Sequence, residues 1–341
     1  MTRKERVIMA LSHKEPDIVP FHAEFTIPEL EKMIRYTGDP EFESKTGGHL
    51  HSTQYWGWPT ELPERKGYFK DEFGVTWNRS GADKDIGVVD RYIIPAPDIR
   101  LWKEPALDVG RLRSEYQEVI DTKGDRFAFA GIGFSLFERI WSLCGMENVL
   151  IYMVEEPEFV HALLDAICEF NLKIIDIASE YPFDGFYFGD DWGQQKGLIM
   201  GPAHWREYIK PRVKEMYARA KKDGRFVIAH SCGYIHELYP DLIDIGLDCH
   251  QTFQPEIYDI EGVKREFGDY LAFWGGISTQ RLLPYATPEK VKEETARIMR
   301  IMGKNGGYIA SPTHSVPADV PPENILAMLD VFQNQARYLC R

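Results

Sequence analysis

The stretch that decides the fold is Phe226-Val227-Ile228-Ala229-His230-Ser231-Cys232-Gly233. A short apolar run ends there in polar side chains, and a helical pattern follows from Ile235 to Ile245. In a strand, residues two positions apart point to the same side, so His230 and Cys232 direct their side chains to one point. A strand that ends in reactive side chains and leads into a helix is typical of a βα unit.

The same βα pattern recurs on both sides of this stretch. The sequence predicts buried strands at 19–25, 127–132, 183–188, 226–229, 247–250, 271–274 and 308–310. It predicts helices at 28–36, 136–143, 146–154, 157–180, 202–222, 235–245, 260–267, 288–302 and 322–338. Repeated βα units predict a parallel sheet covered by helices, and an eighth strand hidden between Trp56 and Ile94 would complete a (β/α)8 TIM barrel. A doubly wound open sheet is the alternative, but no glycine-rich dinucleotide-binding turn supports it.

One segment, from about Tyr55 to Pro105, departs from the βα pattern. It is rich in tryptophan, glycine, proline and charge, and residues 69–77 within it predict a hairpin. We interpret the segment as an excursion that caps one barrel end between strands 1 and 2, so that residues 1–341 form a single domain. Four tryptophans in it either pack the excursion together or wall a pocket; they are Trp56, Trp58, Trp77 and Trp102.

Composition narrows the classes of function. The net charge of −13 and the absence of a Lys/Arg-rich block argue against a nucleic-acid binder. No apolar run approaches the ~20 residues of a membrane-spanning helix, and the N-terminus lacks the apolar core of a signal peptide. The 5 cysteines are scattered, with no CxxC pair, which is typical of free thiols in a reducing compartment. These features predict a cytoplasmic protein that binds neither nucleic acid nor membrane.

In a barrel, chemistry takes place at the C-terminal ends of the strands. The polar residues at these ends are His22, Glu24, Asp190, Asp191, His230, Cys232, His250, Gln251 and His314. An imidazole nitrogen and a thiolate sulfur suit Zn²⁺, although a buried histidine beside a buried thiol is the alternative for His230 and Cys232. His314 could supply a third ligand, or it could be a loop histidine bound to Ser311 or to a backbone carbonyl.

Other residues at the strand ends admit more than one role. Of Asp190 and Asp191, one carboxylate is expected to cap the following helix or to pair with a cation. The other could be a general base, an outer partner of a ligating histidine, or a substrate anchor. We expect Cys249 to be a small residue of the core rather than a metal ligand.

Several motifs, spread over nearly the whole chain, resemble one superfamily. They are Arg6–Pro20, Asp71-Glu72-Phe73-Gly74, Gly201-Pro202, His230-Ser231-Cys232-Gly233, Trp274-Gly275-Gly276-Ile277 and Pro321-Pro322-Glu323-Asn324. The chain resembles the superfamily of uroporphyrinogen decarboxylases and methylcobamide:coenzyme M methyltransferases. This resemblance implies a (β/α)8 barrel and a homodimer.

The two branches of that superfamily differ in chemistry. Uroporphyrinogen decarboxylases use no cofactor, and after the first strand they carry an Arg-Gln-Ala-Gly-Arg-Tyr motif that binds substrate carboxylates. Here that region reads Phe21-His22-Ala23-Glu24-Phe25-Thr26-Ile27-Pro28, with no arginine. Because a substrate with many carboxylates needs cationic partners, we disfavour this branch. The methyltransferase branch binds zinc through His-x-Cys and a distant cysteine, and this chain has His230, Cys232 and, in the distant loop, His314.

The resemblance therefore implies a zinc-dependent methyltransferase with zinc held by His230, Cys232 and His314. The methyl group would move between a small thiol or methyl ether and a methylcobamide carried by a separate corrinoid protein, since no Asp-x-His-x-x-Gly pattern occurs here. We predict Asp190 and Glu24 as catalytic residues, with Asp190 orienting a ligand or the substrate. The predicted substrate-binding residues are Asp191, Gln254, His22 and Trp274. When no substrate is bound, the fourth position on zinc is predicted to be filled by Gln254 or Glu256. The alternatives are a cofactor-free decarboxylase of a smaller acid and a non-catalytic ligand-binding barrel.

Overall fold

The computed structural model describes residues 1–81 and 87–339. Its strands are β1 (Leu50–Tyr55), β2 (Thr60–Glu61), β3 (Tyr68–Lys70), β4 (Thr76–Asn78), β5 (Val88–Arg91), β6 (Phe127–Ile132), β7 (Gly185–Gly189), β8 (Gly193–Gln194), β9 (Gly197–Leu198), β10 (Phe226–His230), β11 (Cys249–Phe253), β12 (Ala272–Ile277) and β13 (Tyr308–Pro312). Its α-helices are α1 (Arg3–Leu11), α2 (Ile27–Thr37), α3 (Val109–Thr122), α4 (Phe137–Cys144), α5 (Met146–Glu155), α6 (Pro157–Ala178), α7 (Gly201–His204), α8 (Lys210–Ala220), α9 (Tyr239–Asp244), α10 (Ile260–Phe267), α11 (Leu282–Tyr285), α12 (Pro288–Met302), α13 (Pro322–Gln333) and α14 (Gln335–Tyr338). A π-helical turn, Trp205–Ile209, joins α7 to α8. Within the described residues, no helix has both the length and the apolar content needed to span a membrane.

Seven strands form one parallel sheet in the order β1-β6-β7-β10-β11-β12-β13. The spatial order follows the chain because each connection returns the chain to the start of the next strand. The segment around Phe21 closes this sheet into a barrel. On one side the His22 amide donates to the Ala310 carbonyl at 2.9 Å, and on the other the His49 amide donates to the Phe21 carbonyl at 2.9 Å. This segment takes the eighth position, so the predicted (β/α)8 barrel is confirmed.

Two strand predictions were wrong in detail. The predicted strand at 19–25 is reduced to two isolated bridges, Phe21 with Ala310 and Phe25 with Val316. Pro20 has no amide hydrogen, so a continuous ladder cannot run through this segment. The strand expected between Trp56 and Ile94 is instead β1, which ends just before Trp56 and pairs with β6. β1 lacks the apolar run that identifies a buried strand, because most of its residues are only half-buried.

The excursion forms an antiparallel sheet of β2, β3, β4 and β5. The predicted hairpin at 69–77 is confirmed, since Phe69 of β3 pairs with Trp77 of β4. The excursion follows β1, so it lies between the second and third barrel positions and not between strands 1 and 2 as predicted. Asp71 ties it to the barrel, because Oδ2 accepts from Nε1 of Trp77 at 2.9 Å and lies 3.3 Å from Nη1 of Arg139 on α4.

Alternate strand residues fill the barrel interior. They are Leu50, Phe127, Phe129, Tyr187, Ile228, Cys249, Ala272, Trp274 and Ile309. Helix α1 closes the N-terminal end of the barrel with Val7 and Leu11. Cys249 is fully buried in this layer, which confirms its core role. The next inward-facing residues, towards the C-terminal end, are His230 and Gln251, which are paired in register.

Candidate metal centre

The His-x-Cys pair lies at the C-terminal end of β10. His230 is the last residue of the strand, and Cys232 follows two positions later. Sγ of Cys232 lies 3.5 Å from Nε2 of His230. A tetrahedral zinc with a sulfur at ~2.3 Å and a nitrogen at ~2.05 Å separates those two atoms by about 3.6 Å. The pair therefore has the spacing that zinc requires of two of its ligands.

His314 reaches the same point from the loop after β13. Its ring centroid lies 5.8 Å from that of His230. One ligand atom from each of His230, Cys232 and His314 lies within 4.8 Å of the other two. The structure thus brings together the three side chains that the sequence singled out, and a donor set of two nitrogens and one sulfur fits zinc. We call these three residues the triad.

Gln251 of β11 sets the orientation of His230. Nδ1 of His230 is hydrogen-bonded to Oε1 of Gln251, and the same oxygen accepts from the Tyr187 hydroxyl at 3.0 Å. A carbonyl oxygen can only accept, so Nδ1 carries a proton, and Nε2 is the nitrogen that faces Cys232. A metal-ligating histidine commonly makes an outer hydrogen bond of this kind. Gln251 therefore has the role that was predicted for Asp190.

Asp191 lies beside His230 and Cys232. Its Oδ1 accepts from the Cys232 amide at 2.7 Å and lies 3.3 Å from Nε2 of His230. Burial opposes ionisation of this carboxyl group, but the contacts with His230 and with the Cys232 amide outweigh burial and lower its pKa. The structure therefore places an anion next to two residues of the triad.

Asp190 is turned away from the triad and caps α4. Its carboxylate accepts from the three backbone amides of residues 136–138 at 2.7–3.3 Å and from Nε1 of Trp192 at 2.7 Å. Burial raises its pKa to about 6, although these hydrogen bonds oppose the rise. Because both carboxylate oxygens are engaged in the cap, Asp190 does not orient His230. The capping alternative is thus the one that the structure shows.

The remaining predicted residues lie around the barrel mouth and beneath it. At the rim, Nε2 of His22 lies 3.4 Å from Oε1 of Glu24, whose side chain is 47% exposed. Trp274 lies in the barrel interior, and its ring centroid is 6.1 Å from those of both His22 and Tyr187. The buried indole nitrogen of Trp274 has no hydrogen-bond partner among the described residues.

The two residues predicted as a fourth ligand are engaged elsewhere. Oε1 of Gln254 accepts from the Gly233 amide at 3.0 Å, so Gln254 supports the loop that follows Cys232. Glu256 is hydrogen-bonded to the hydroxyl group of Ser278. Both side chains are thus hydrogen-bonded to neighbouring loops, and a fourth ligand from this segment stays a prediction.

Sequence reasoning missed Glu138, which lies near the triad in the first turn of α4. Its backbone amide donates to Asp190. Partial burial, together with the carboxylates of Asp191 and Asp190, raises the pKa of Glu138 well above its usual range. A single glutamate in a helix has no pattern that distinguishes it in a sequence. Only its proximity to two aspartates from another strand end reveals it.

An apolar cavity of about 460 Å³ opens beside His314. Three of the four tryptophans of the excursion line it, so the interpretation that these rings wall a pocket applies to those three. The residues that line the cavity include Phe25, Gln54, Trp56, Trp58, Trp77, Phe134 and Ser315.

Comparison with known proteins places the chain in a family. The model of the family described as Uroporphyrinogen decarboxylase (URO-D) matches residues 81–335. The chain belongs to the URO-D family. The uroporphyrinogen decarboxylase of Chlorobium limicola is 26% identical over 271 residues, which cover 76% of this chain and 71% of that protein. That of Chlorobium luteolum is 26% identical over 269 residues, with the same coverage of 76% and 71%.

A solved structure resembles this URO-D family member over its whole length. It is a methyltransferase from Methanosarcina mazei, with a TM-score of 0.73, 18% sequence identity and coverage of 98% of this chain and 99% of that one. At this level of identity the likeness shows the fold. Together with the family match, it confirms the resemblance to the superfamily that includes both uroporphyrinogen decarboxylases and methyltransferases.

Proposed function

We propose that this chain is a zinc-dependent methyltransferase that moves a methyl group between a small thiol or methyl ether and a corrinoid carried by a separate protein. The observation that carries the proposal is the convergence of ligand atoms from His230, Cys232 and His314 within 4.8 Å of one another. Zinc held there would act as a Lewis acid on the sulfur or oxygen of the substrate. The corrinoid is assigned to another protein because this chain has no Asp-x-His-x-x-Gly pattern.

The donor set suits this role. Three protein ligands leave one tetrahedral position for substrate, which is the arrangement of catalytic zinc sites. Two neutral imidazoles and one thiolate leave the ion with a net positive charge, and this charge favours polarisation of an oxygen or deprotonation of a thiol. Gln251 keeps the lone pair of His230 directed at the ion, and Asp191 stands beside the ligands as an anion.

Charges around the triad disfavour the decarboxylase alternative. Asp191 lies next to the triad as an anion, and Glu24 lies within electrostatic reach of His230 and His314. The segment Phe21–Pro28 contains no arginine. A substrate with many carboxylates would therefore meet carboxylates where it needs cations. A small thiol or a methyl ether has no carboxylates that need cationic partners.

Metal analysis tests the proposal. Protein reconstituted with zinc and then freed of loose metal should retain one zinc ion per chain. Cys232→Ala and His314→Ala should each weaken zinc binding by at least about 10- to 100-fold. Cys249→Ala is the matched control, because its thiol is buried in the barrel core and should not affect zinc. Wild-type protein that binds no zinc contradicts the proposal, and undiminished zinc binding in Cys232→Ala shows that the ligands are assigned wrongly.

A spectroscopic assay tests the reaction itself. Methylcobalamin can replace the corrinoid protein, and a thiol serves as the acceptor. Zinc-loaded wild-type protein should accelerate the loss of methylcobalamin absorbance, and Cys232→Ala should not. If the zinc-loaded protein instead releases carbon dioxide from a small carboxylic acid at the same site, the decarboxylase alternative is the correct one.

A further inference from the structure

We propose that His250 is a positioning residue for Cys232, because its imidazole holds the Ser231 carbonyl and thereby fixes the peptide that joins Ser231 to Cys232. The sequence places His250 among the polar strand ends but gives it no role. The inference rests on the proposed function in one respect, namely that Cys232 is a zinc ligand. The hydrogen bonds that support it belong to the chain itself.

The peptide between Ser231 and Cys232 is held at both ends. Its carbonyl accepts from Nε2 of His250 at 3.2 Å, and its N–H donates to Oδ1 of Asp191 at 2.7 Å. A peptide unit is planar, so partners on its oxygen and on its N–H fix the plane. The plane sets ψ of Ser231 and φ of Cys232, and these angles direct the Cα–Cβ bond of Cys232. The direction of the thiol therefore depends on His250 as well as on Asp191.

Strand β11 supports both His230 and the loop that follows it. Successive residues of a strand point to opposite faces. Gln251 faces the barrel interior and is hydrogen-bonded to Nδ1 of His230, whereas His250 faces the other way and reaches the Ser231 carbonyl. The Ser231 amide donates to the Gln251 carbonyl at 2.6 Å. Both backbone polar groups of Ser231 are thus bonded to consecutive residues of one strand.

The imidazole of His250 has one donor and one acceptor nitrogen. The Ser231 carbonyl can only accept, so Nε2 carries a proton. Burial lowers the pKa of His250 to about 4, so the ring is neutral near pH 7 and Nδ1 has a lone pair. The Tyr239 hydroxyl donates to Nδ1 at 3.0 Å. Tyr239 therefore selects the tautomer that donates to the loop.

Tyr239 is itself held by aromatic packing. Its ring centroid lies 5.2 Å from that of Phe267, at an interplanar angle of 73°, and 5.7 Å from that of Phe273, at 69°. Tyr239, His250 and Ser231 are all fully buried. A buried carbonyl that loses its donor is costly to leave unpaired, so the loop must move when His250 cannot donate. A change at His250 or Tyr239 should therefore be felt at Cys232.

Nuclear magnetic resonance on metal-free protein with nitrogen-15 in its histidines tests the tautomer. His250 should give the cross-peaks of a neutral ring that is protonated at Nε2. His250→Gln removes these cross-peaks and so assigns them. A neutral ring protonated at Nδ1, or a doubly protonated ring at pH 7, overturns the inference.

The rate at which zinc passes from the protein to a chromogenic chelator tests the effect on the metal site. His250→Leu and Tyr239→Phe should each raise this rate by about tenfold. His250→Gln should restore most of the loss, because a glutamine amide can donate to the Ser231 carbonyl. The matched control is Tyr208→Phe, which removes a buried hydroxyl that donates to the Met153 carbonyl at 2.6 Å in the π-helical turn. It should release zinc at the wild-type rate.

Cobalt(II) in place of zinc gives a spectroscopic signature that a loss of stability alone does not change. The sulfur-to-cobalt charge-transfer band reports the bond to Cys232. This band should weaken or shift in His250→Leu and Tyr239→Phe and stay unchanged in Tyr208→Phe. If His250→Leu does not fold, Tyr239→Phe still tests the inference, because it keeps the packed ring and removes only the hydroxyl.

The results separate this inference from the proposed function. Wild-type zinc release and an unchanged cobalt spectrum in both His250→Leu and Tyr239→Phe overturn the inference, as do equal changes in Tyr208→Phe. The proposed function then stands, provided that zinc binding depends on Cys232 and His314. Wild-type protein that binds no zinc overturns the proposed function, and the role of His250 at the metal site falls with it.

Discussion

At the scale of single residues, two adjacent aspartates with identical side chains have different environments. Successive residues in extended chain point to opposite sides, so the chain beyond β7 turns Asp190 towards α4 and Asp191 towards the triad. Asp190 is 1% exposed and satisfies three helix amides and one indole. Asp191 contacts the Cys232 amide and His230. Asp190 therefore stabilises the fold, whereas Asp191 holds His230 and Cys232 in position.

Substitution of each aspartate by alanine should separate these roles. Asp190→Ala should lower the free energy of unfolding by at least about 3 kcal/mol, because it leaves several buried donors without a partner. Asp191→Ala should cost less stability but weaken zinc binding by about tenfold or more. Denaturant unfolding and zinc titration measure the two quantities on both variants. Equal effects of both variants on zinc affinity would contradict this division of roles.

The buried carboxyl group of Asp190 should also make stability depend on pH. Its pKa in the folded protein is about 6, above the ~3.9 of an exposed aspartate. The folded state therefore binds the proton more tightly, and the resulting stabilisation, about 3 kcal/mol, is fully present below pH ~4 and is lost as the pH rises through 6. Asp190→Asn lacks this titration. The gap in unfolding free energy between wild type and Asp190→Asn should widen in favour of wild type on going from pH 7 to pH 4, and a constant gap would refute the assignment.

At the scale of elements, the loop after β10 is clamped by its neighbours. Gly233 has a φ of +79°, and its amide and carbonyl are hydrogen-bonded to Gln254 and to the Tyr258 hydroxyl, each at 3.0 Å. A Cβ on Gly233 would lie 2.2 Å from the carbonyl carbon of Gly193 in β8. The loop holds Cys232 in place only because residue 233 has no side chain.

Gly233→Ala should therefore damage both the fold and the metal site. We expect a loss of several kcal/mol in unfolding free energy, about 3 or more, and weaker zinc binding, since the backbone beside Cys232 must move. The matched control is Gly38→Ala, where φ is +68° but nothing lies within 4 Å of the added Cβ. That variant should cost only the strain of a left-handed residue, about 1–2 kcal/mol, and keep full zinc affinity. Thermal unfolding and zinc titration of both variants check this.

At the scale of the whole molecule, barrel closure brings the triad together. His230 and Cys232 belong to β10 and its loop, whereas His314 follows β13, and β11 and β12 lie between these two strands in the sheet. The curvature of a closed barrel directs all these strand ends at one mouth. The bonds of the Phe21 segment to Ala310 and to His49 complete the closure.

Removal of zinc should therefore leave the fold intact. The proposed ligands are already held by protein contacts, since Gln251 fixes His230 and Asp191 fixes the Cys232 amide. Chelation should leave the far-ultraviolet circular dichroism unchanged, and free zinc at about a hundred times its Kd should add about 2.7 kcal/mol of stability. A chain that loses its helical signal on chelation would instead have a structural zinc, of the kind that is coupled to folding.

The sequence by itself determined the βα repetition, the barrel class and the shared direction of His230 and Cys232. These depend on the periodicity of apolar residues and on strand alternation, which are properties of neighbouring positions in one chain. The resemblance of motifs added His314. The half-buried strand β1 and the bridges at Phe21 were missed or misplaced, because neither has the apolar run of a buried strand.

Only the tertiary structure decided which partner each polar or aromatic group meets. Periodicity gives the direction of a side chain relative to its own strand, but hydrogen bonds to residues distant in the chain select one role among several. In this way Asp190 became a helix cap, Gln251 became the residue that orients His230, and Glu138 came to lie beside two carboxylates. The tryptophans that the sequence assigned either to packing or to a pocket wall became a cavity beside His314, because the excursion folds back over the barrel mouth.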